Sequence, residues 1–162
     1  MAKKQILYIM GVSGSGKSTI GKLLADRLQF PFFDGDDFHP DANVKKMKAG
    51  HPLNDDDRQG WLERLNQVGK DNLATGAVIV CSSLKKKYRT ILSQDLENKH
   101  LFIYLEGSFD LINKRLSARK NHYMPAGLLQ SQFDILETPT EALIVSIDQS
   151  PNEIVDDIIK KL

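Results

Sequence analysis

Cysteine is nearly absent from this chain of 162 residues: Cys81 stands alone, so no internal disulfide can form and a reducing compartment is expected. No excess of one charge is present either. Lys and Arg total 22 against 21 Asp and Glu, a net charge of +1, whereas a bulk binder of nucleic acid or anionic membrane would carry a basic surplus. No apolar run approaches the length that spans a bilayer. The run after Met1-Ala2-Lys3-Lys4 is too short for a signal peptide and serves better as a first strand. Low-complexity tracts, internal repeats, linkers and N-x-[ST] sequons are all missing. These absences point to a cytoplasmic protein with no nucleic-acid and no membrane partner. With 41% hydrophobic and 27% charged residues, the chain suits one domain that buries its core without disulfides.

What is present is concentrated in Gly11-Val12-Ser13-Gly14-Ser15-Gly16-Lys17-Ser18, a complete G-x-x-x-x-G-K-[ST] phosphate-binding loop. An apolar run at 6–10 precedes it, and helical spacing follows from Ser18 to Leu28, so it has the strand-before, helix-after setting the motif requires. Such a turn presents clustered main-chain N–H groups and the positive end of a helix dipole to an anion. Glycines let the main chain close around phosphate oxygens. Lys17 is expected to reach the β- and γ-phosphates and Ser18 to place its hydroxyl on Mg2+, with Thr19 beside them. The ligand is therefore expected to be a nucleoside triphosphate.

Around this loop, strand and helix patterns alternate. Runs that are apolar throughout, and so suit strands covered on both faces, lie at 6–10, 30–33, 77–81, 101–105 and 143–147. Helical stripes are carried by Ile20, Leu23, Leu24 and Leu28; by Trp61, Leu62, Leu65 and Val68; by Leu111, Ile112 and Leu116; and by Ile154, Val155, Ile158, Ile159 and Leu162. Ser150-Pro151-Asn152-Glu153 is a capping box with proline at the first helical position. Asn54 or Asp55 can cap the helix that enters Trp61. The fold class expected is α/β, a three-layer arrangement with a five-stranded parallel sheet and helices on both faces. Two segments break the alternation, 34–52 and 120–127; they read as an acceptor-binding region and as part of a small lid.

The first of these contains Asp34-Gly35-Asp36-Asp37-Phe38-His39-Pro40. Phosphoryl transfer needs a carboxylate that can accept the acceptor's proton and aim its oxygen, and Asp36 is the candidate for that work. Asp34 is expected to support Mg2+ through water, and Asp37 to serve as a turn or cap. Arg58 either grips an anionic group bidentately or pairs with the aspartates before it. Lys85, at the mouth of the third strand, can meet an anionic substrate, while Lys86 and Lys87 read as a solvated helix face. Cys81 reads as core. Arg115 and Arg119, four apart, share a helix face leading into the lid, where they either neutralise charge on the transferred phosphoryl group or form surface pairs. His39 and His122 lie in the two irregular segments and can hydrogen-bond a polyol.

Taken together, the phosphate loop, Asp34–Pro40, Lys46-Met47 with Gly50 and Pro52-Leu53, Asp55 with Asp57-Arg58 and Trp61-Leu62, Cys81-Ser82-Ser83-Leu84-Lys85-Lys86 with Tyr88-Arg89, and His122-Tyr123-Met124-Pro125 with Leu128-Leu129 and Ser131-Gln132-Phe133 resemble the small P-loop type of gluconate kinase. The segments span nearly the whole chain in family order; Ser83 and Tyr123 depart from the alanine and phenylalanine more usual there. The resemblance implies a single P-loop kinase domain over 1–162, with an acceptor-binding region at about 34–60 and a lid at about 115–130. It implies ATP- and Mg2+-dependent phosphorylation of D-gluconate at its 6-hydroxyl, a fold similar to shikimate and nucleoside monophosphate kinases, and often a homodimer. It carries ATP and Mg2+ onto Lys17 and Ser18, the acceptor onto Asp36 and the lid onto Arg119. The residues that hold the gluconate carboxylate stay open among Arg58, Lys85 and Arg89. A kinase of another small acid or of a nucleoside monophosphate is the alternative.

Overall fold

Ile6–Met10 forms the central strand β1, every residue of it buried. Because successive side chains point to opposite faces, this one strand feeds two cores. Leu7 and Ile9 enter one apolar cluster; Ile6, Tyr8 and Met10 enter the other. The computed structural model describes residues 3–118 and 126–162. Four further strands, β2 (Phe32–Asp34), β3 (Ala77–Val80), β4 (His100–Glu106) and β5 (Leu143–Ser146), complete a sheet of order β2-β3-β1-β4-β5. Each neighbouring pair is parallel. The five-stranded α/β architecture expected from the runs of apolar residues is therefore the one observed.

Helices α1 (Lys17–Leu28), α5 (Phe109–Ser117), α6 (Ala126–Ile135) and α7 (Pro151–Lys161) supply buried residues to the first cluster: Ile20 and Leu24, Ile112 and Leu116, Leu129, and Ile154, Val155 and Ile158. On the other face α3 (Asp55–Asp71) contributes Trp61, Leu62 and Leu65, and α4 (Lys86–Leu92) contributes Tyr88 and Leu92. The remaining helix, α2 (Asp41–Lys48), follows a 3-10 turn at Gly35–Phe38. Both anticipated caps form. The Ser150 hydroxyl accepts from Glu153 N–H, and Asn54, rather than Asp55, caps α3 in a reciprocal box with Asp57.

The chain leaves β1 for the β2 edge, returns to β3, then crosses to β4 on β1's other side. The carboxyl end of β1 is thus the point where the winding reverses, the place where an open α/β sheet has a crevice. The largest boundary difference from the sequence pattern is at β2, while β3, β4 and β5 shift by a single residue at one or both ends. Strand β2 begins two residues later than the apolar run and extends through Asp34, whose register partner is Val80. Phe30 is buried in the core without being part of the strand. The stretch 126–135, not expected as an element, is a helix. Among its residues of described burial Leu129 alone is fully buried while Leu128 and Ile135 are exposed, so its apolar residues mark no single buried stripe.

Candidate active site

The phosphate loop runs from the end of β1 to the start of α1. Gly16 caps α1 with φ 94°, in the left-handed region that glycine enters at little cost, and its carbonyl accepts from Ile20 N–H at 2.9 Å. Gly11 N–H donates to Ser82 O at 3.2 Å, which ties the loop to the chain leaving β3. Gly11, Val12 and Ser15 are buried beneath the loop, whereas Ser13, Gly14, Gly16, Lys17, Ser18 and Thr19 line a cleft of about 560 Å³. The Lys17 ammonium folds back to donate to Val12 O at 3.0 Å. Burial pushes its pKa down to about 8, while the carboxylates of Asp36 and Asp34 pull the other way.

Asp34 and Asp36 lie across the same cleft. Extension of β2 through Asp34 brings that carboxylate to the loop: Ser18 Oγ donates to Asp34 Oδ2 at 3.5 Å, and Asp34 Oδ1 accepts from Asp36 N–H at 3.0 Å. A hydroxyl and a carboxylate together are hard oxygen donors of the kind Mg2+ takes, the ion keeping waters and substrate phosphates for its other positions. Among the described residues no three His, Cys, Asp or Glu side chains cluster as for an ion held by protein alone. The Asp36 side chain is 87% exposed and lines the cleft. The surrounding wall of the cleft, and then the charge of Asp34, push its carboxyl pKa upward.

Beside Asp36 sits His39, its Nε2 4.0 Å from Asp36 Oδ1. Its ring stacks on Trp61, centroids 4.1 Å apart at 16°. Asn43 Nδ2 donates to Asp57 O at 2.8 Å and lies 3.3 Å from His39 Nδ1. With the amide as donor, Nδ1 is the acceptor and Nε2 carries the proton on the Asp36 side. Burial holds the His39 pKa below its ordinary value against the attraction of Asp36. Trp61 Nε1 also donates to Gly35 O at 2.7 Å. Gly35 is forced by close approach: a Cβ there would stand 2.5 Å from Val80 O.

A second group of charges joins the first turns of α3 and α4. Asp55 receives hydrogen bonds from Lys87 Nζ and Tyr88 Oη, and its Oδ1 lies 3.6 Å from Lys85 Nζ and 3.9 Å from Arg58 Nη1. The bond from Lys87, then that from Tyr88, holds its carboxyl far below the usual carboxylate range. Arg58 Nη1 donates to Tyr88 Oη at 3.2 Å, and its charge helps to depress His39. Arg58 and Lys85 are thus brought together near the acceptor loop.

Arg89 is not brought there. Its Nη1 donates to Ser83 O at 2.7 Å and its Nη2 to Glu137 O at 2.9 Å, with 9% of the residue exposed. Arg115 turns to the end of β5, where Nη2 donates to Ile147 O at 2.6 Å, and it is Leu116 of α5 that lines the cleft. Arg119 and His122 lie outside the described residues, as does much of the segment expected to form the lid. Cys81 is buried, with its thiol pushed up to about 11 by burial, which suits a core residue at the cleft floor rather than a nucleophile.

Two participants escaped the sequence pattern. Trp61 reads as part of an apolar stripe, although it is the single tryptophan and follows Asp57-Arg58 closely. Gln132 of α6 reaches the phosphate loop: Ser13 N–H donates to its Oε1 at 2.7 Å, and its Nε2 donates to Ser13 Oγ at 3.0 Å. No spacing rule links positions so far apart.

Comparison with known proteins agrees with this geometry. The family model described as shikimate kinase matches residues 13–162. A thermoresistant gluconokinase of Escherichia coli is 46% identical over 165 residues, covering 96% of this chain and 94% of its own. A probable gluconokinase of Schizosaccharomyces pombe is 40% identical over 173 residues, covering 97% and 89%. The crystal structure of a gluconokinase from Sinorhizobium meliloti superposes with a TM-score of 0.90 at 36% identity, covering 99% of this chain and 92% of that one. A phosphate loop and an aspartate-bearing acceptor loop share one cleft here, and with relatives of this similarity over nearly full length, the chain belongs to the gluconokinase family.

Proposed function

We propose that this protein transfers the γ-phosphoryl group of ATP to the 6-hydroxyl of D-gluconate, giving 6-phospho-D-gluconate and ADP. One observation carries the reading: Lys17 and Ser18 on one wall, and Asp34 and Asp36 on the other, line a single cleft. A phosphate cradle alone would serve any nucleotide switch. A carboxylate projecting into the same cleft supplies what an acceptor hydroxyl needs.

In this reading the loop N–H groups and Lys17 hold the phosphates and offset the charge that spreads over the transferred group. Asp36 aligns the acceptor hydroxyl and takes its proton. His39, held by Trp61 and Asn43 with its Nε2–H toward Asp36, steadies that carboxylate or a neighbouring hydroxyl of the polyol. Arg58 and Lys85 provide the cations for the gluconate carboxylate. Ser18 and Asp34 would hold Mg2+, which screens phosphate charge when bound. Arg119 keeps its assignment to the lid by resemblance, whereas Arg89 and Arg115, each committed to main-chain carbonyls, frame the structure around the cleft. The same reading places the protein in the cytoplasm, with ATP and reduced thiols.

The test is an acceptor panel: ATP, Mg2+ and gluconate, shikimate, related sugar acids and nucleoside monophosphates, with ADP release measured for each. Gluconate should give the highest kcat/KM and a product phosphorylated at C6. A clear preference for shikimate or a nucleotide would replace the acceptor while leaving the kinase chemistry in place.

A further inference from the structure

Ser13 and Gln132 are 119 positions apart and form a two-point contact on the wall of the cleft. The main-chain N–H of Ser13 can only donate, so the Gln132 atom 2.7 Å from it is the carbonyl oxygen. The amide nitrogen is then the atom 3.0 Å from Ser13 Oγ, and it can only donate as well. The orientation of the side-chain amide is thereby settled by its partner. It follows that the Ser13 hydroxyl is an acceptor toward Gln132, and its own hydrogen remains for a different acceptor. Both residues face the cleft shared by Lys17 and Ser18. Phosphate oxygens only accept, so a hydroxyl biased to donate is matched to them.

We propose that Gln132 is a positioning residue for phosphoryl transfer. It pins the early half of the phosphate loop to α6 and sets the polarity of Ser13, so that the hydroxyl donates to a phosphate oxygen of bound ATP. This rests on the kinase reading above and adds to it a residue on α6, across the cleft from the acceptor loop.

The experiment is a double-mutant cycle on the full chain with Ser13→Ala, Gln132→Ala and both together, with Gln132→Glu beside them. Each single alanine variant should lower kcat/KM for ATP by about 10- to 100-fold, the scale of one hydrogen bond to a charged group. The double variant should be no worse than the more impaired single by more than about twofold, because Gln132 acts on ATP through the Ser13 hydroxyl that the other change removes. KM for gluconate should stay at the wild-type value. Glu at 132 keeps the carbonyl oxygen for Ser13 N–H but has no amide hydrogen, so it takes the hydroxyl's hydrogen for itself. That variant should melt with the wild type yet show the activity loss of Ser13→Ala.

Losses that multiply in the double variant, or wild-type turnover in Gln132→Glu, would overturn the proposal. If Gln132→Ala fails to fold, the near-isosteric Glu variant decides. The same cycle read as Kd for a non-hydrolysable ATP analogue needs no acceptor. A wild type inert toward gluconate would therefore sink the acceptor assignment while the role of Gln132 is still resolved.

Discussion

Trp61 donates its indole N–H to the main-chain oxygen of Gly35 at 2.7 Å and carries the ring of His39 on its face. One side chain of α3 therefore fixes both ends of the acceptor loop, the turn that presents Asp36 and the histidine beside it. Trp61→Phe keeps an aromatic face for His39 but leaves the Gly35 carbonyl without its partner. A buried acceptor left unpaired costs about 1–3 kcal/mol. For a domain of this size that is a melting temperature lower by about 3–10 °C. The loosened loop should raise KM for gluconate severalfold while KM for ATP stays put. Equal changes in both constants would show that the tryptophan supports the whole cleft rather than the acceptor side.

In the proposed reaction Asp36 is the proton acceptor; it is exposed in the cleft, and among the described residues no side chain donates a hydrogen bond to its carboxylate. Asp36→Ala should lower kcat by about 10²- to 10⁴-fold, the usual span for a general base. The Kd for ATP should fall slightly, if it moves at all, since a negative charge near the phosphates is removed. Steady-state kinetics with nucleotide calorimetry checks both. Near-normal turnover would take Asp36 out of the chemistry.

How much of this was legible in the chain depends on the range of the interaction. The phosphate loop is local: its glycines, Lys17 and Ser18 are consecutive, so the sequence shows the whole device. The central strands β1 and β3 are legible because each is buried along its whole length and apolar throughout, and the less buried β2, β4 and β5 still carry apolar runs. The capping boxes at Asn54 and Ser150 are legible because a cap reaches only three residues. Trp61 to Gly35, Gln132 to Ser13 and Arg89 to Glu137 are different, since each partner is chosen by how helices pack on the sheet. Arg89 illustrates the cost of that blindness. A basic residue after a strand suits a substrate carboxylate, yet this one crosses to the chain after α6 and closes the site's frame. Helix α6 was hidden because it buries so little apolar surface.

Arg89 offers a clean separation of structural from substrate roles. Its guanidinium satisfies the carbonyls of Ser83 and Glu137, and Ser83 itself sits at φ 51°, a conformation that a non-glycine residue holds only with support. Arg89→Ala should destabilise the fold by about 3 kcal/mol, a melting temperature lower by about 6–12 °C. Assayed well below that temperature, its KM for gluconate should stay within about threefold of wild type, since a site away from the bound carboxylate contributes little to affinity. A loss of gluconate affinity by two orders of magnitude with an unchanged melt would return Arg89 to the substrate.

Lys17 ties stability and activity together with opposite signs. Burial lowers its pKa to about 8, so below that pH the folded protein carries a charge that it holds less comfortably than the unfolded chain does. With the folded value below the unfolded one, the penalty is present in full under pH 8 and is relieved as pH rises from there toward the ordinary lysine value. Lys17→Met should therefore melt no lower than the wild type at pH 7 while losing phosphoryl transfer. In the wild type, kcat/KM for ATP should fall about tenfold per pH unit above 8, because the free enzyme loses the cation that meets the phosphates. Bound phosphates favour the charged amine and raise its pKa, so kcat itself should stay level to a higher pH. A pH profile of both constants, set beside melting curves of the methionine variant, checks the two signs in one series. A kcat that falls in step with kcat/KM above pH 8 would mean that the amine does not meet the phosphates in the loaded enzyme.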